Sequence, residues 1–226
     1  MVKNLKKWIL PISLVLFAAV SLFVVGSVIT AQKFHISSEV LDRAESKYGK
    51  ESVERLKRWE NLINTGGGST DMEKLKTVNG FFNGLIQFVN DIDLWGKKDY
   101  WATPLEFLSR CAGDCEDFAI SKFFTLKAMG MNEEKLNITY VKALQYNIHH
   151  MVLTYYSQPG AEPLVLDNLI DTINPASKRT DLMPIFSFNG TGLWLAKQRG
   201  KGKFAGSSSK VKAWGDLQRR MMGNEL

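Results

Sequence analysis

The spacing of apolar residues changes once along this chain of 226 residues, near Gly130, and this change constrains the fold more than any other feature. Before that point apolar side chains recur every three or four positions, which is the period of an amphipathic helix. The predicted helices are 38–64, 71–90 and 114–130. After it, short runs alternate apolar and polar residues, which predicts strands at 137–143, 149–156, 164–167, 185–188 and 192–196. Helices followed by an antiparallel sheet define an α+β domain, with an N-terminal helical lobe and then a β-sheet lobe.

The first 32 residues predict a targeting segment. Lys3, Lys6 and Lys7 precede an uncharged, mostly apolar run of 25 residues from Trp8 to Gln32. A basic prefix before such a run is the layout of a secretory signal or a signal anchor, and the run is long enough to cross a bilayer. No clean Ala-x-Ala cleavage sequence precedes Gln32, so a removed signal peptide and a retained membrane anchor both remain open. In either case we expect the remaining chain to lie on the far side of a membrane.

The net charge of +6 is concentrated at the two ends of the chain. Residues 1–33 hold four lysines and no acid, and residues 197–226 hold eight basic residues and two acids. The body at 34–196 carries 17 basic and 21 acidic residues. A nucleic-acid-binding domain would carry positive charge on its fold, so this slightly acidic body argues against that function. We therefore predict a targeting segment at 1–32, a domain at 33–196 and a basic tail at 197–226.

Both cysteines lie in one crowded stretch from Arg110 to Ala119, where a glycine precedes residues that favour a helix. Cys115 stands between Asp114 and Glu116 at the predicted start of that helix. A thiol attacks as a thiolate, and the positive end of a helix lowers its pKa. Free backbone N–H groups at the same end can stabilise an oxyanion. We therefore predict that Cys115 is a catalytic nucleophile.

A cysteine nucleophile needs a base and a group that orients the base. His149 and His150 are adjacent on a predicted strand and must point to opposite faces, and His150 is our candidate base. A turn at Pro159-Gly160 returns Asp167 to the neighbouring strand within about three residues of His150, which is within reach of an imidazole. Because an aspartate among apolar neighbours is costly to bury alone, Asp167 is predicted to orient His150.

Two other roles for the cysteines stay open. On one helix, Cys111 and Cys115 would have Cβ atoms about 5–6 Å apart, beyond the ~3.5–4.5 Å of a disulfide. A turn at Ala112-Gly113 would make the bridge possible. A zinc site built from both cysteines and both histidines is disfavoured, because His149 and His150 point to opposite faces.

The carboxylates around the thiol pose a separate question. Asp114, Glu116 and Asp117 would oppose ionisation of Cys115 by like-charge repulsion. Carboxylates at a helix start interact favourably with the helix dipole, which requires no ligand. A hard cation such as Ca²⁺, which takes oxygen ligands, would also relieve the repulsion, although no EF-hand spacing is present. Both explanations remain open on the residues alone.

Four motifs stand in order along the middle of the chain. They are Tyr100-Trp101-Ala102-Thr103-Pro104-Leu105-Glu106-Phe107-Leu108, Gly113-Asp114-Cys115-Glu116-Asp117-Phe118-Ala119, His150-Met151-Val152-Leu153 and Leu164-Val165-Leu166-Asp167-Asn168. Together they resemble the bacterial transglutaminase-like cysteine proteases, closely over 94–168 and loosely elsewhere. The resemblance implies a papain- and transglutaminase-like fold. It also implies that Cys115 is the nucleophile, His150 the general base and acid, and Asp167 the group that orients His150.

The same resemblance implies calcium dependence, with Asp114 and Glu116 matching the residues that flank the family's nucleophile. Asp117 is our own addition to this metal site. The implied enzyme is periplasmic and cuts a large surface adhesin near its N-terminus, at a di-alanine site, which releases cells from a biofilm. The implied partner is an inner-membrane cyclic-di-GMP receptor that sequesters the protease.

Some features leave alternatives to this assignment. Cys111 departs from the family pattern, in which a small residue such as glycine is expected. Trp101 is expected to pack, although its indole N–H is also a candidate oxyanion donor. An acyl transferase would use the same three catalytic residues. A non-catalytic envelope protein, whose basic tail binds anionic lipid or a partner, is the other alternative.

Overall fold

A computed structural model of the chain describes residues 33–195, 202–224 and 226. The chain divides into Met1–Gln32 and one compact unit, Lys33–Leu226. The predicted targeting segment lies outside the described residues. In the ranges that are described, no helix is long and apolar enough to cross a membrane.

Most helices of the described chain precede the main sheet, as the sequence predicts. The helices are α1 Ser38–Tyr48, α2 Lys50–Gly66, α3 Asp71–Leu85, α4 Asp91–Trp95, α5 Pro104–Arg110, α6 Cys115–Ala128 and α7 Lys212–Met222. The strands are β1 Gln87–Phe88, β2 Ala112–Gly113, β3 Leu136–Ala143, β4 Ile148–Tyr155, β5 Leu164–Leu166, β6 Asn174–Pro175, β7 Leu182–Phe188, β8 Gly192–Leu195 and β9 Lys203–Ser207. The short strands β1 and β2 lie among the helices, whereas α7 follows the sheet.

The helix predicted over 38–64 is two helices, because the chain breaks at Gly49. Its φ of +81° is a left-handed conformation that glycine adopts without strain. Ser37, rather than Ser38, caps the first helix, and its side chain accepts a hydrogen bond from the N–H of Val40. The helix predicted to reach residue 90 ends at Leu85, because the chain then becomes extended and forms β1.

Seven strands form one sheet in the order β6-β5-β4-β3-β7-β8-β9. All neighbours in this sheet are antiparallel, and a hairpin with Asn189-Gly190 in its turn joins β7 to β8. The short strands β6 and β9 are additions that the sequence pattern did not indicate. In the central pair, Val141 lies opposite His150, and Leu153 of β4 lies opposite Leu166 of β5. This register places Asp167, just past the end of β5, beside the first half of β4.

Helix α6 runs through the centre of the core, and this fixes the position of Cys115 at its first turn. Phe118, Ile120, Phe123 and Leu126 of α6 are all at most 3% exposed. Burial of a side chain of this size contributes about 1.5–3 kcal/mol relative to exposure. Four such residues on consecutive turns leave the helix little freedom to shift or rotate.

The C-terminal part of the chain belongs to the same core. Trp214 and Leu217 of α7 are fully buried, and Trp214 packs against Phe123, Phe124 and Phe188. The segment predicted as a basic tail contains α7, and the compact unit extends beyond the predicted domain end at residue 196. The sequence analysis missed the contribution of α7 to the core, because the segment is basic and only a few of its apolar side chains face the core.

Candidate active site

The loop before α6 is fixed by a tight backbone arrangement. Helix α5 ends at Cys111, which adopts the left-handed conformation with φ 58° and donates its N–H to the carbonyl of Phe107 at 3.0 Å. The next two residues form β2, which pairs in parallel with β1. A Cβ added at Gly113 would lie 2.4 Å from an oxygen of Asp117 and 2.6 Å from the ring of Phe107. Only glycine fits there, and the chain then enters α6 at Cys115.

Asp117 holds this loop against the segment that precedes α5. The N–H of Ala102 donates to one carboxylate oxygen at 2.7 Å, and the N–H of Asp114 donates to the other at 3.4 Å. Asp117 is fully buried, and burial, with the charge of Glu116, raises its pKa well above the usual value. The two carboxylate oxygens of Asp117 therefore accept hydrogen bonds from both the segment before α5 and the loop before α6.

The thiol of Cys115 lies beside the carboxylate of Glu116, the next residue in the chain. Its Sγ donates to Oε2 of Glu116 at 3.1 Å. Burial raises the pKa of the Cys115 thiol well above its usual value, and Glu116 and Asp114 add to this, whereas the N–H of Met151 acts in the opposite direction. The sequence-based expectation of a lowered thiol pKa is therefore wrong for the protein without a cation. Burial and two flanking carboxylates outweigh the helix end.

His150 and Asp167 form a buried pair across β4 and the end of β5. Nε2 of His150 lies 2.7 Å from Oδ1 of Asp167, and the two residues are 2% and 1% exposed. His149 stacks on Tyr140, with ring centroids 5.3 Å apart, and both rings line the same cleft as Cys115. Within the described ranges, Nδ1 of His150 makes no hydrogen bond. His150, rather than His149, is the histidine that pairs with a carboxylate.

Arg179, which the sequence analysis missed, holds the far side of Asp167. Its Nη2 donates to Oδ2 of Asp167 at 2.7 Å, and Asp181 binds the same guanidinium at 2.8 and 2.9 Å. Burial by itself raises the pKa of Asp167, but the bonds from His150, the Leu169 N–H and Arg179 overcome this and lower the pKa to about 2. Asp167 is therefore a carboxylate that accepts the N–H of His150. No local sequence pattern predicts that Arg179 contacts Asp167, because the spacing between the two residues follows no helix or strand period.

Two further side chains fix the backbone of Asp167. Nδ2 of Asn83 and Nζ of Lys122 both donate to its carbonyl oxygen, at 2.7 and 3.2 Å. Lys122 is 1% exposed, and burial lowers its pKa to about 7. Helices α3 and α6 thus hold the end of β5 in place from the core side.

Five carboxylates gather beside the thiol. The three predicted ones, Asp114, Glu116 and Asp117, are joined by two that the sequence analysis missed, Asp91 and Asp99. They form overlapping groups, such as Asp91–Asp114–Asp117 and Asp91–Asp99–Glu116, whose ligand atoms lie within 4.8 Å of one another. Asp91 and Asp99 come from α4 and the loop after it, 24 and 16 positions before Cys115, so no short spacing connects them to the motif.

The chemistry of this carboxylate cluster fits a hard cation. Asp91 is 3% exposed, and Oδ1 of Asp91 and Oδ1 of Asp114 are buried without a hydrogen-bond partner in the described structure. Burial raises the pKa of Asp91 to about 6. Burial, with the charge of Glu116, raises the pKa of Asp114 to about 10. Buried oxygen atoms that lack donors are the ligands that Ca²⁺ prefers.

The alternative roles for the cysteines and for Trp101 find no support. Both cysteines are free thiols, and Sγ of Cys111 contacts the carbonyl of Leu85 at 3.3 Å. The candidate metal clusters of the described residues contain no histidine, which disfavours a zinc site. The indole N–H of Trp101 donates to Asp99 at 3.0 Å, while its ring stacks on Phe188. Trp101 therefore packs, and it also holds a member of the carboxylate cluster.

Cys115 and His150 line one cleft of about 450 Å³ between the helical lobe and the sheet. Phe88, Ile148 and Leu169 lie at its rim and are 42–48% exposed. The cleft therefore combines a thiol, an imidazole and a row of carboxylates with apolar walls. Such a cavity suits an extended peptide with small or apolar side chains.

The comparisons with known proteins agree with this arrangement. A sequence model of the bacterial transglutaminase-like cysteine proteinases matches residues 47–186, more than half of the chain. The chain belongs to that family. A search of curated protein sequences gave no significant match.

Among solved structures, Legionella pneumophila LapG is similar over most of this chain. It is 41% identical over 81% of this chain and 94% of LapG, with a TM-score of 0.71. A calcium-bound LapG structure is 42% identical over 82% of this chain and 99% of LapG, with a TM-score of 0.70. An EGTA-treated LapG structure gives 41% identity and a TM-score of 0.72. The predicted α+β, transglutaminase-like fold is thereby confirmed.

Proposed function

We propose that this protein is a calcium-dependent periplasmic cysteine endopeptidase. The observation that carries the proposal is the cleft that Cys115 and His150 share, with His150 paired to Asp167 at 2.7 Å. The family membership of the chain supports the same reading.

The three residues have complementary roles in peptide cleavage. Cys115 attacks the scissile carbonyl, and His150 takes the thiol proton and then gives it to the leaving amine. Asp167 keeps Nε2 protonated, so that Nδ1 is the nitrogen that accepts and returns the proton. The backbone N–H of Cys115, at the first turn of α6, is a candidate oxyanion donor. Water then hydrolyses the acyl-enzyme and restores the thiol.

Calcium would bind at the carboxylate cluster, through Asp91, Asp99, Asp114 and Glu116. Asp117 borders the cluster, but its oxygens already accept two backbone N–H groups. A bound Ca²⁺ supplies positive charge that offsets the carboxylates beside the thiol, which favours the thiolate. The unpartnered oxygens of Asp91 and Asp114 and the calcium-bound LapG structure support this part of the proposal.

The substrate and partner follow from the family resemblance. We propose that the substrate is a large surface adhesin, cut near its N-terminus at a di-alanine site, so that cleavage promotes biofilm dispersal. The proposed regulator is an inner-membrane cyclic-di-GMP receptor. Residues 1–32 would direct the protein to the periplasm, either as a removed signal peptide or as a membrane anchor.

The experiment is cleavage of a purified adhesin N-terminal fragment, followed by mass spectrometry of the products. Cys115→Ala should abolish cleavage, whereas Cys111→Ala, the matched loss of the other thiol, should retain it. EGTA should stop the wild-type reaction, and added calcium should restore it. Full activity of Cys115→Ala would refute the nucleophile, and an unchanged rate in EGTA would refute calcium dependence. Incorporation of an added amine without hydrolysis would instead indicate an acyl transferase.

A further inference from the structure

The C-terminal helix contacts the loop that presents the carboxylate cluster. Helix α7 lies outside the 47–186 segment that matches the family model, and the sequence analysis gave its basic residues a role only in the non-catalytic alternative. Its residue Arg220 extends toward residues 99–102, which connect α4 to α5. The side chain of Arg220 is 18% exposed, so these contacts are largely shielded from water.

Both terminal nitrogens of Arg220 donate to this loop or to the first turn of α5. Nη1 donates to the hydroxyl of Tyr100 at 2.9 Å and to Oε2 of Glu106 at 2.7 Å. Nη2 donates to the carbonyl of Trp101. The guanidinium carbon also lies 4.5 Å from the centre of the Tyr100 ring, in a cation–π contact. Because the guanidinium is planar and donates to several acceptors, it fixes both the position and the orientation of the groups that it contacts. The single ammonium group of a lysine does not fix their orientation.

Three consecutive residues of the same loop each hold one acid of the cluster. The backbone N–H of Tyr100 donates to Oδ2 of Asp91. The indole N–H of Trp101 donates to Oδ1 of Asp99 at 3.0 Å. The backbone N–H of Ala102 donates to Oδ1 of Asp117 at 2.7 Å. The position of this loop therefore decides where three of the five carboxylates lie.

We propose that Arg220 is a positioning residue for the cation site, and that α7 thereby sets the affinity of the site for calcium. Arg220 fixes Tyr100 and Trp101, and these residues orient Asp91 and Asp99 so that their free oxygens converge with those of Asp114 and Glu116. This inference rests on the proposed calcium site and goes beyond it, because it assigns a function to the C-terminal helix. Loss of a residue that orients metal ligands typically weakens metal binding about 10–100-fold.

A purely structural role for Arg220 gives a different result. An arginine that only attaches α7 to the domain would lower the melting temperature equally with and without calcium. A positioning residue instead reduces the rise in melting temperature that calcium causes, since this rise depends on the dissociation constant. The neighbouring Arg219 is the matched control, because its side chain is 73% exposed and its ion-pair partner is Asp216 of the same helix.

The experiment measures calcium binding by titration calorimetry, and melting temperatures in EGTA and in calcium, for the full domain. Arg220→Met should bind calcium at least tenfold more weakly and show a smaller calcium-induced rise in melting temperature. Arg220→Lys, which keeps the charge but loses the fork, should bind several-fold more weakly than wild type. Arg219→Met should match wild type in both measurements.

The outcomes separate this inference from the calcium proposal. If wild-type protein binds no calcium, the calcium site itself is refuted. If wild type binds calcium and Arg220→Met binds it equally well, the positioning role is overturned while the site stands. Should Arg220→Met fail to fold, Arg220→Lys decides: weaker binding supports the role, and unchanged binding overturns it.

Discussion

Replacing Arg179 with Met tests whether the His150–Asp167 pair depends on a buried ion pair. The side chains of Arg179 and Asp167 are 3% and 0% exposed. Removing one partner of such a pair leaves an uncompensated buried charge and costs about 3–5 kcal/mol. This is a large part of the roughly 5–15 kcal/mol that stabilises a typical domain. Arg179→Met should lower the free energy of unfolding by about that amount in urea titrations followed by Trp fluorescence.

The matched control is Asp181→Asn, which removes the other carboxylate of Arg179. The side chain of Asp181 is 32% exposed, so solvent screens the lost ion pair, and the cost should stay below about 1 kcal/mol. Arg179→Lys should be intermediate, because one ammonium replaces the fork. If Arg179→Met costs no more than Asp181→Asn, Asp167 does not depend on Arg179.

The pH dependence of the stability difference between wild type and Arg179→Met follows from the pKa of Asp167. Folding lowers that pKa from 3.8 to about 2, so the ionised carboxylate contributes stability above pH 3.8 and loses it as the pH falls through 2. A difference of nearly two pKa units corresponds to about 2 kcal/mol. The stability gap between wild type and Arg179→Met should therefore be constant near neutrality and narrow between pH 4 and pH 2. A gap that widens on acidification would contradict the assignment.

Two further substitutions test the loop before α6 and the C-terminal helix. Gly113→Ala should lower the free energy of unfolding by about 1–3 kcal/mol and remove most of the activity, because its Cβ would overlap Asp117 and Phe107. The control is Gly80→Ala, which lies in open space on α3 and should stabilise the protein by about 0.5–1 kcal/mol. A Gly113→Ala variant with wild-type unfolding and activity would refute the steric argument. Trp214→Ala should cost about 3–5 kcal/mol in urea unfolding, because its side chain is fully buried; a cost below 1 kcal/mol would show that α7 is dispensable for the core.

The sequence predicted the features that depend on local pattern. Capping residues indicate where helices start. The strand pairs that bring Asp167 to His150 are predicted from a turn sequence and from the alternation of apolar and polar residues. The break at Gly49 was missed because apolar residues recur at helical spacing on both sides of it. The role of α7 was missed because Trp214 and Leu217 are only two apolar positions in a basic segment, and their burial depends on aromatic partners far away in sequence.

Charges that meet only in the folded chain were the least predictable part of the site. Arg179 and Asp91 lie outside the four motifs, and Asp99, which directly precedes the first motif, is 16 positions before Cys115. The direction of the pKa of Cys115 was predicted wrongly for the same reason. A helix end is visible in the sequence, whereas burial of the thiol against Glu116 and Asp114 is a property of the packed loop.

Different side chains hold the two sides of the cleft in the described structure, although helix α6 contributes to both. On the thiol side, Tyr100, Trp101 and Ala102 bind acids of the carboxylate cluster, and Arg220 contacts Tyr100 and Trp101. The imidazole side depends on Asp167 and its contacts with Arg179 and the core. No hydrogen bond among the described residues joins a carboxylate of the cluster to His150 or Asp167, so a cation at the proposed site would act most directly on the thiol. His150 and Asp167 are already paired in this structure, so at the proposed calcium site a bound cation would be required for the thiol rather than for this pair.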